Sequence, residues 1–239
     1  MSIVLHRFPL SHFSEKARLL LDFKGLDYEL RDHQLGLPQL AIYRLSGQRK
    51  LPVIEHDGHV VSDSTRIAHY LDEQFPETRR LVPRDDPRRS EVLALEERID
   101  RKFGVGPVAR WLEHCLDHQD HLDLLAIETH GLPVAGARGL GALVRALRGP
   151  VTARTARFVE ATYALLDDLT ARLRRGPYLV GDEPTLADLA AAGLLFHLEF
   201  PTSRFLWDPA FAGRGIPEVV ARFPEVFLWR RKLYTDFLR

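Results

Sequence analysis

Residues 50–64 read Lys-Leu-Pro-Val-Ile-Glu-His-Asp-Gly-His-Val-Val-Ser-Asp-Ser, and this stretch decides the fold of the first third of the chain. Asp57-Gly58 lies between two apolar runs, Leu51–Glu55 and His59–Val61, which is a strong short-range signal for a β-hairpin. Pro52 stands at the opening of the first run, where a residue without an N–H is tolerated in a sheet. Asp63 and Ser64 follow the second run and are good helix N-caps. A helix is therefore predicted over Asp63–Phe75, with Ile67, Tyr70 and Leu71 on one face and Pro76 as its stop.

Upstream, Ile3–Phe8 predicts a short strand. Ser11–Phe23 has helical spacing, with Phe13, Ala17, Leu20 and Leu21 on one face and Gly25 at the C′ position. Asp27–Arg31 predicts a second strand, and Pro38–Leu45 a short helix with Pro in its first turn. The order β-α-β-α-β-β-α is thioredoxin-like, on a small mixed sheet. Downstream, residues 76–88 hold three prolines and seven charges, which is linker composition. Beyond it Ser90–Phe103, Pro107–Thr129, Val151–Arg175, Thr185–Glu199 and Pro217–Phe237 all predict helices, so an all-α second domain follows. The expected division is 1–76, a linker at 77–88, and 89–239. Gly131–Pro150, rich in glycine, fits neither pattern, though Leu140–Leu147 has room for one or two helical turns.

The chain of 239 residues carries 33 basic and 33 acidic side chains, which removes the electrostatic basis for general nucleic-acid or anionic-membrane binding. No apolar run approaches the roughly 20 residues of a membrane-spanning helix. Residues 1–10 do not read as a signal peptide, because His6 and Arg7 interrupt the apolar stretch. The single cysteine, Cys115, excludes an intrachain disulfide, a two-cysteine redox motif and a cysteine-based structural zinc site. A cytoplasmic protein is expected.

Three segments have the residue types for chemistry. Ser11-His-Phe-Ser14 directly follows the first strand, so a hydroxyl sits at a helix N-terminus, where unpaired N–H groups and the helix dipole favour an anion. Either serine also serves there as a plain cap. Lys50-Leu51-Pro52 opens the third strand; a cis Leu51–Pro52 bond would turn the Leu51 backbone outward, although an X–Pro bond is ordinarily trans. Asp63-Ser64 offers a carboxylate and a hydroxyl at a second helix N-terminus, a pair that suits an amino-acid head group.

In order and spacing these motifs resemble the cytosolic glutathione transferase superfamily, serine type. The likeness covers Ile3–Phe75 and continues through Tyr178-Leu-Val-Gly-Asp-Glu-Pro-Thr185-Leu-Ala-Asp188, which is similar to the family's N-capping box. It implies a thioredoxin-like glutathione-binding domain followed by a helical domain that supplies most of the second-substrate pocket. By that resemblance Ser11, with Ser14 as substitute, donates to the glutathione sulfur. Leu51 beside a cis Pro52 pairs with the cysteinyl backbone, Asp63 and Ser64 hold the γ-glutamyl group, and Lys50 approaches the glycyl end. A free thiol has a pKa of about 8.5, and lowering it by two units takes about 2.7 kcal/mol, within reach of a hydroxyl donor at a helix N-terminus. The implied reaction is attack of the glutathione thiolate on a small, apolar electrophile, by a homodimer.

The same chemistry serves a glutathione-dependent isomerase or dehalogenase, and the same fold serves a non-catalytic binding module. Both glutaredoxin-type cysteine positions are serine here, and no tyrosine precedes Tyr28. His12 stands where relatives often have proline, and Asp63 where many have glutamate. No metal is expected: His114, His118 and His121 share a helical face, but the apolar face through Leu112, Cys115 and Leu116 lies roughly opposite, so they read as a solvated or domain-facing stripe. Arg110 and Trp111 on that helix are candidates for the rim of the second-substrate pocket.

Overall fold

A computed structural model describes residues 2–34, 39–118, 121, 148–206 and 208–238. Four strands form one mixed sheet in the order β2-β1-β3-β4: β1 Ile3–Arg7, β2 Tyr28–Asp32, β3 Val53–His56 and β4 His59–Ser62. β1 runs parallel to β2 with Ile3 opposite Tyr28, and antiparallel to β3 with Leu5 opposite Ile54. The β3–β4 hairpin pairs His56 with His59 across Asp57-Gly58, and both turn residues have positive φ (48° and 82°). That is the conformation for which Asp-Gly is selected in a two-residue hairpin loop.

Helices α1 (His12–Lys24) and α3 (Ser64–Gln74) pack on each other, while α2 (Gln39–Ser46) lies against β4. α1 ends where expected: Gly25 adopts φ 72° and donates its N–H to the Asp22 carbonyl. The helical part is built from α4 (Arg88–Phe103), α5 (Gly106–Cys115), α6 (Arg148–Leu173), α7 (Leu186–Leu194), α8 (Pro217–Arg222) and α9 (Pro224–Phe237).

Three helices differ from their sequence expectation. The one predicted over Pro107–Thr129 ends at Cys115; residues 119, 120 and 122–147, which hold the Gly131–Pro150 anomaly almost entirely, lie outside the described residues. The one predicted over Thr185–Glu199 ends at Leu194. The one predicted over Pro217–Phe237 is two helices, broken at Phe223 (φ −125°, ψ 53°). Pro224 carries no N–H and disfavours helical geometry at the residue before it, so the break was encoded by that proline.

The seam between the sheet part and the helical part is α1 against α7. A Cβ on Gly193 would come within 2.7 Å of Lys16 Cα, so only glycine permits this approach. α1 was expected to be amphipathic, yet nearly every side chain on it is buried. Its polar residues are neutralised inside. Lys16 donates to Glu96 (2.5 Å) and Asp100 (2.7 and 2.8 Å) on α4, and Thr65 at the start of α3 donates to Glu96 as well. Burial pushes Asp100 up to about 6 against the pull of Lys16, and the neighbouring Glu96 carboxylate adds to the rise. Further along, Arg18 bonds Glu15 (2.7 and 2.9 Å) and Asp22 (2.6 Å), and the Tyr234 hydroxyl of α9 donates to Glu15 (2.8 Å). Burial alone would raise Glu15; the Arg18 guanidinium overrides it and holds the carboxyl below its ordinary value.

The proline-rich segment after α3 is docked rather than loose. Leu81 and Val82 are buried, and the Asp72 carboxylate accepts both of their N–H groups (3.0–3.2 Å). The Leu81 carbonyl in turn accepts the Leu186 N–H of α7 at 2.7 Å.

Candidate active site

Two helix N-termini and one strand start bound the candidate site. Ser11 caps α1 from an extended conformation (φ −88°, ψ 116°), and its Oγ accepts the Ser14 N–H at 3.2 Å. A hydroxyl that accepts with a lone pair keeps its O–H for another acceptor, and Ser11 is half-buried rather than sealed. Ser14 has a different surrounding. It is buried, and its Oγ accepts the Phe8 N–H at 3.3 Å, so of the two serines Ser11 is the one with access to solvent.

The Leu51–Pro52 bond is cis. Pro52 is buried, Leu51 half-buried and Lys50 exposed. Asp63 caps α3, its Oδ1 accepting the N–H groups of Thr65 (3.0 Å) and Arg66 (3.1 Å). Asp63 itself sits at φ 77°, ψ 128°, a region that non-glycine residues rarely enter and that clusters at functional sites. Ser64, the first residue of α3, is buried beneath it.

A cleft of about 170 Å³ is lined by Lys50, Leu51, Pro52, Asp63 and Ser64, together with Phe13 and Gln48. Five of the sequence candidates thus converge on one surface, although they come from two separate segments, the approach to β3 and the start of α3. Ser11 and Ser14 do not line that cleft; the α1 start reaches it through Phe13. Gln48 was not singled out from sequence, and Phe13 was named only on the apolar face of α1. Phe13 follows Ser11 by two residues, and Gln48 lies in the turn ahead of Lys50, donating to the Lys50 carbonyl at 3.3 Å. Their signal was proximity to a motif, not residue type.

Behind the α1 start lies a buried ring cluster. His12 packs on Phe13 (centroids 4.7 Å apart) and His197 (5.3 Å), and Trp111 packs on His197 (5.0 Å). Burial lowers His12 to about 4, opposed by a bond to the Gly104 carbonyl, and drives His197 well below its ordinary value. Trp111 is therefore an interior side chain at 2 % exposure and not a rim residue. Arg110 pairs with Glu218 of α8.

Comparison with known proteins falls on the same elements. Residues 5–79 match the family model of the glutathione S-transferase N-terminal domain, and residues 152–232 that of the glutathione S-transferase C-terminal domain. A probable glutathione S-transferase of Oryza sativa subsp. japonica, GSTU1, is 39% identical over 115 residues, covering 47% of this chain and 48% of its own. Glutathione S-transferase U10 of Arabidopsis thaliana is 31% identical over 91 residues, 38% of this chain and 39% of its own. The chain spans about half the length of the curated relatives it matches. Among solved structures, a glutathione S-transferase from Rhodospirillum rubrum F11 superposes with a TM-score of 0.69 at 22% identity, covering 99% of this chain and 90% of that one. The β-etherase LigF from Sphingobium sp. strain SYK-6 superposes at 0.68 with 19% identity, covering 100% and 97%. At these identities the likeness is one of fold.

Proposed function

The chain belongs to the glutathione S-transferase superfamily, and from that premise we propose that it binds glutathione in the cleft between Lys50 and Ser64 and activates its thiol for attack on a small, apolar electrophile. The observation that carries the reading is the convergence of Lys50, Leu51, Pro52, Asp63 and Ser64 on that cleft. Asp63 takes the γ-glutamyl ammonium, and Ser64, through its hydroxyl and its own N–H, the carboxylate. Leu51 meets the cysteinyl backbone, and Lys50 the glycyl carboxylate. Ser11 donates its O–H to the sulfur, and the α1 dipole favours the thiolate over the thiol. Residues 1–76 carry this site, 77–88 connect, and 89–239 wall the electrophile pocket. The active form is a cytoplasmic homodimer. Among the described residues no helix is long and apolar enough to cross a membrane.

Ser11→Ala removes the donor to sulfur while Asp63, Ser64 and Leu51 still hold the tripeptide. The expected outcome is wild-type glutathione affinity by isothermal titration and a loss of conjugation rate of about a hundredfold, the equivalent of about 2.7 kcal/mol. Failure of the wild type to bind glutathione at millimolar concentration would sink the proposal. Unchanged turnover in Ser11→Ala would move the donor role to another residue.

A further inference from the structure

The histidine stripe at 114–121 was set aside in the sequence because it read as solvated or domain-facing. In the structure two of its three members are interior: His114 is 9 % and His121 6 % exposed, and only His118 faces solvent. α5 ends at Cys115, and the rings of His118 and His121 lie beside that of His114. The His114 and His118 rings stack at 3.8 Å between centroids, and His121 stands 5.3 Å from His114 and 5.8 Å from His118. One ligating nitrogen from each lies within 4.8 Å of those of the other two.

We propose that His114, His118 and His121 form a binding site for a borderline divalent transition-metal ion, zinc foremost, with the exposed side at His118 left open for a water or an exogenous ligand. The donor set selects the metal. Three imidazoles with no carboxylate or thiolate suit zinc, copper or nickel, and not magnesium or calcium.

Two further features agree. His118 Nδ1 lies 2.8 Å from the His114 carbonyl oxygen. A carbonyl only accepts, so Nδ1 carries the proton and Nε2 keeps its lone pair, the second-shell arrangement that fixes the tautomer of metal-binding histidines. The site also sits at the C-terminal end of α5, where the helix dipole favours a cation. Zinc–nitrogen bonds of about 2.0–2.1 Å require the three nitrogens to draw together by at most roughly 1.5 Å.

The test is titration of the chelator-stripped, untagged full chain with zinc chloride by calorimetry, together with thermal denaturation in the presence and absence of zinc. Expected is saturable one-to-one binding with a dissociation constant below about 10 μM and a raised Tm. His118→Ala should weaken binding at least tenfold and remove the Tm shift, while the metal-free Tm stays unchanged because the replaced ring is exposed. His59→Ala, another exposed histidine, should leave binding intact. Absence of saturable binding at 100 μM zinc overturns the proposal. So does equal affinity in His118→Ala, or an equal loss in His59→Ala.

Discussion

Two helices in this chain begin with a hydroxyl residue and an aspartate, and the two starts have opposite outcomes. At α7 the Asp188 carboxylate is used completely: Oδ1 accepts the Leu179 N–H, and Oδ2 accepts both the N–H and the hydroxyl of Thr185, each at 2.9 Å. Both residues are buried, and burial pushes Asp188 up to about 6 against these bonds. At α3 Asp63 uses Oδ1 alone, is exposed, and borders a cleft. Among the described residues, no hydrogen bond reaches its Oδ2. The residue types are the same at both places, although Asp63 is itself the cap and Asp188 follows the Thr185 cap by three residues. What separates a structural cap from a binding group is the hydrogen-bonding capacity left over and its access to solvent.

That contrast is broken or sharpened most strongly at Asp188. Asp188→Ala strands two N–H groups and a hydroxyl in the interior, each worth about 1–3 kcal/mol when unpaired. A loss of roughly 3–5 kcal/mol in urea unfolding is expected. A loss below about 1 kcal/mol would mean that the closed cap contributes no more than an open one.

Asp63 should show the reverse balance. Asp63→Ala removes a cap, about 1 kcal/mol, and places a Cβ-bearing residue at φ 77° without compensation, about 1 kcal/mol more. Asp63→Gly tolerates that φ and should unfold within a few tenths of a kcal/mol of wild type. Both should weaken glutathione binding at least tenfold in calorimetry, because both delete the carboxylate. Wild-type affinity in Asp63→Gly would reduce Asp63 to a cap and dissolve the distinction.

The sheet half was legible because its signals are local. Asp57-Gly58, Pro52, Gly25 and Asp63 each act within a few residues, and each stands where the structure uses it. The helical half was legible in its content and not in its breaks. Pro224 was a readable stop inside a stretch read as one continuous helix, Pro217–Phe237. The burial of the polar face of α1 was not legible for a deeper reason. The partners Glu96, Asp100 and Tyr234 lie 80 or more residues away for Lys16 and 219 for Glu15. No periodicity carries a partner at that distance. The histidine stripe was left open between solvent and a domain face for the same reason: an apolar face opposite a polar one means solvent only where no further element covers the polar side.

The α1 start offers a third case, intermediate between the other two, and the smallest effect. Ser11 is half-open, yet the adjacent His12 is buried at 7 % exposure and held neutral, its pKa lowered to about 4 from an ordinary 6.5. Because the folded value lies below the unfolded one, the native state resists a proton that the unfolded chain accepts. The contribution is fully present above pH 6.5 and is lost as pH falls from there towards 4. One such group gives a slope of at most about 1.4 kcal/mol per pH unit. His197 is lowered in the same direction, so part of the acid loss remains when His12 is removed. His12→Gln should therefore flatten the decline in urea stability between pH 6.5 and 5 by up to about 1 kcal/mol per unit, with glutathione affinity unchanged at pH 7. Parallel stability curves for the two proteins would mean that His12 is protonated in the fold. It would then belong with the open groups of the cleft, not with the closed interior that it packs against.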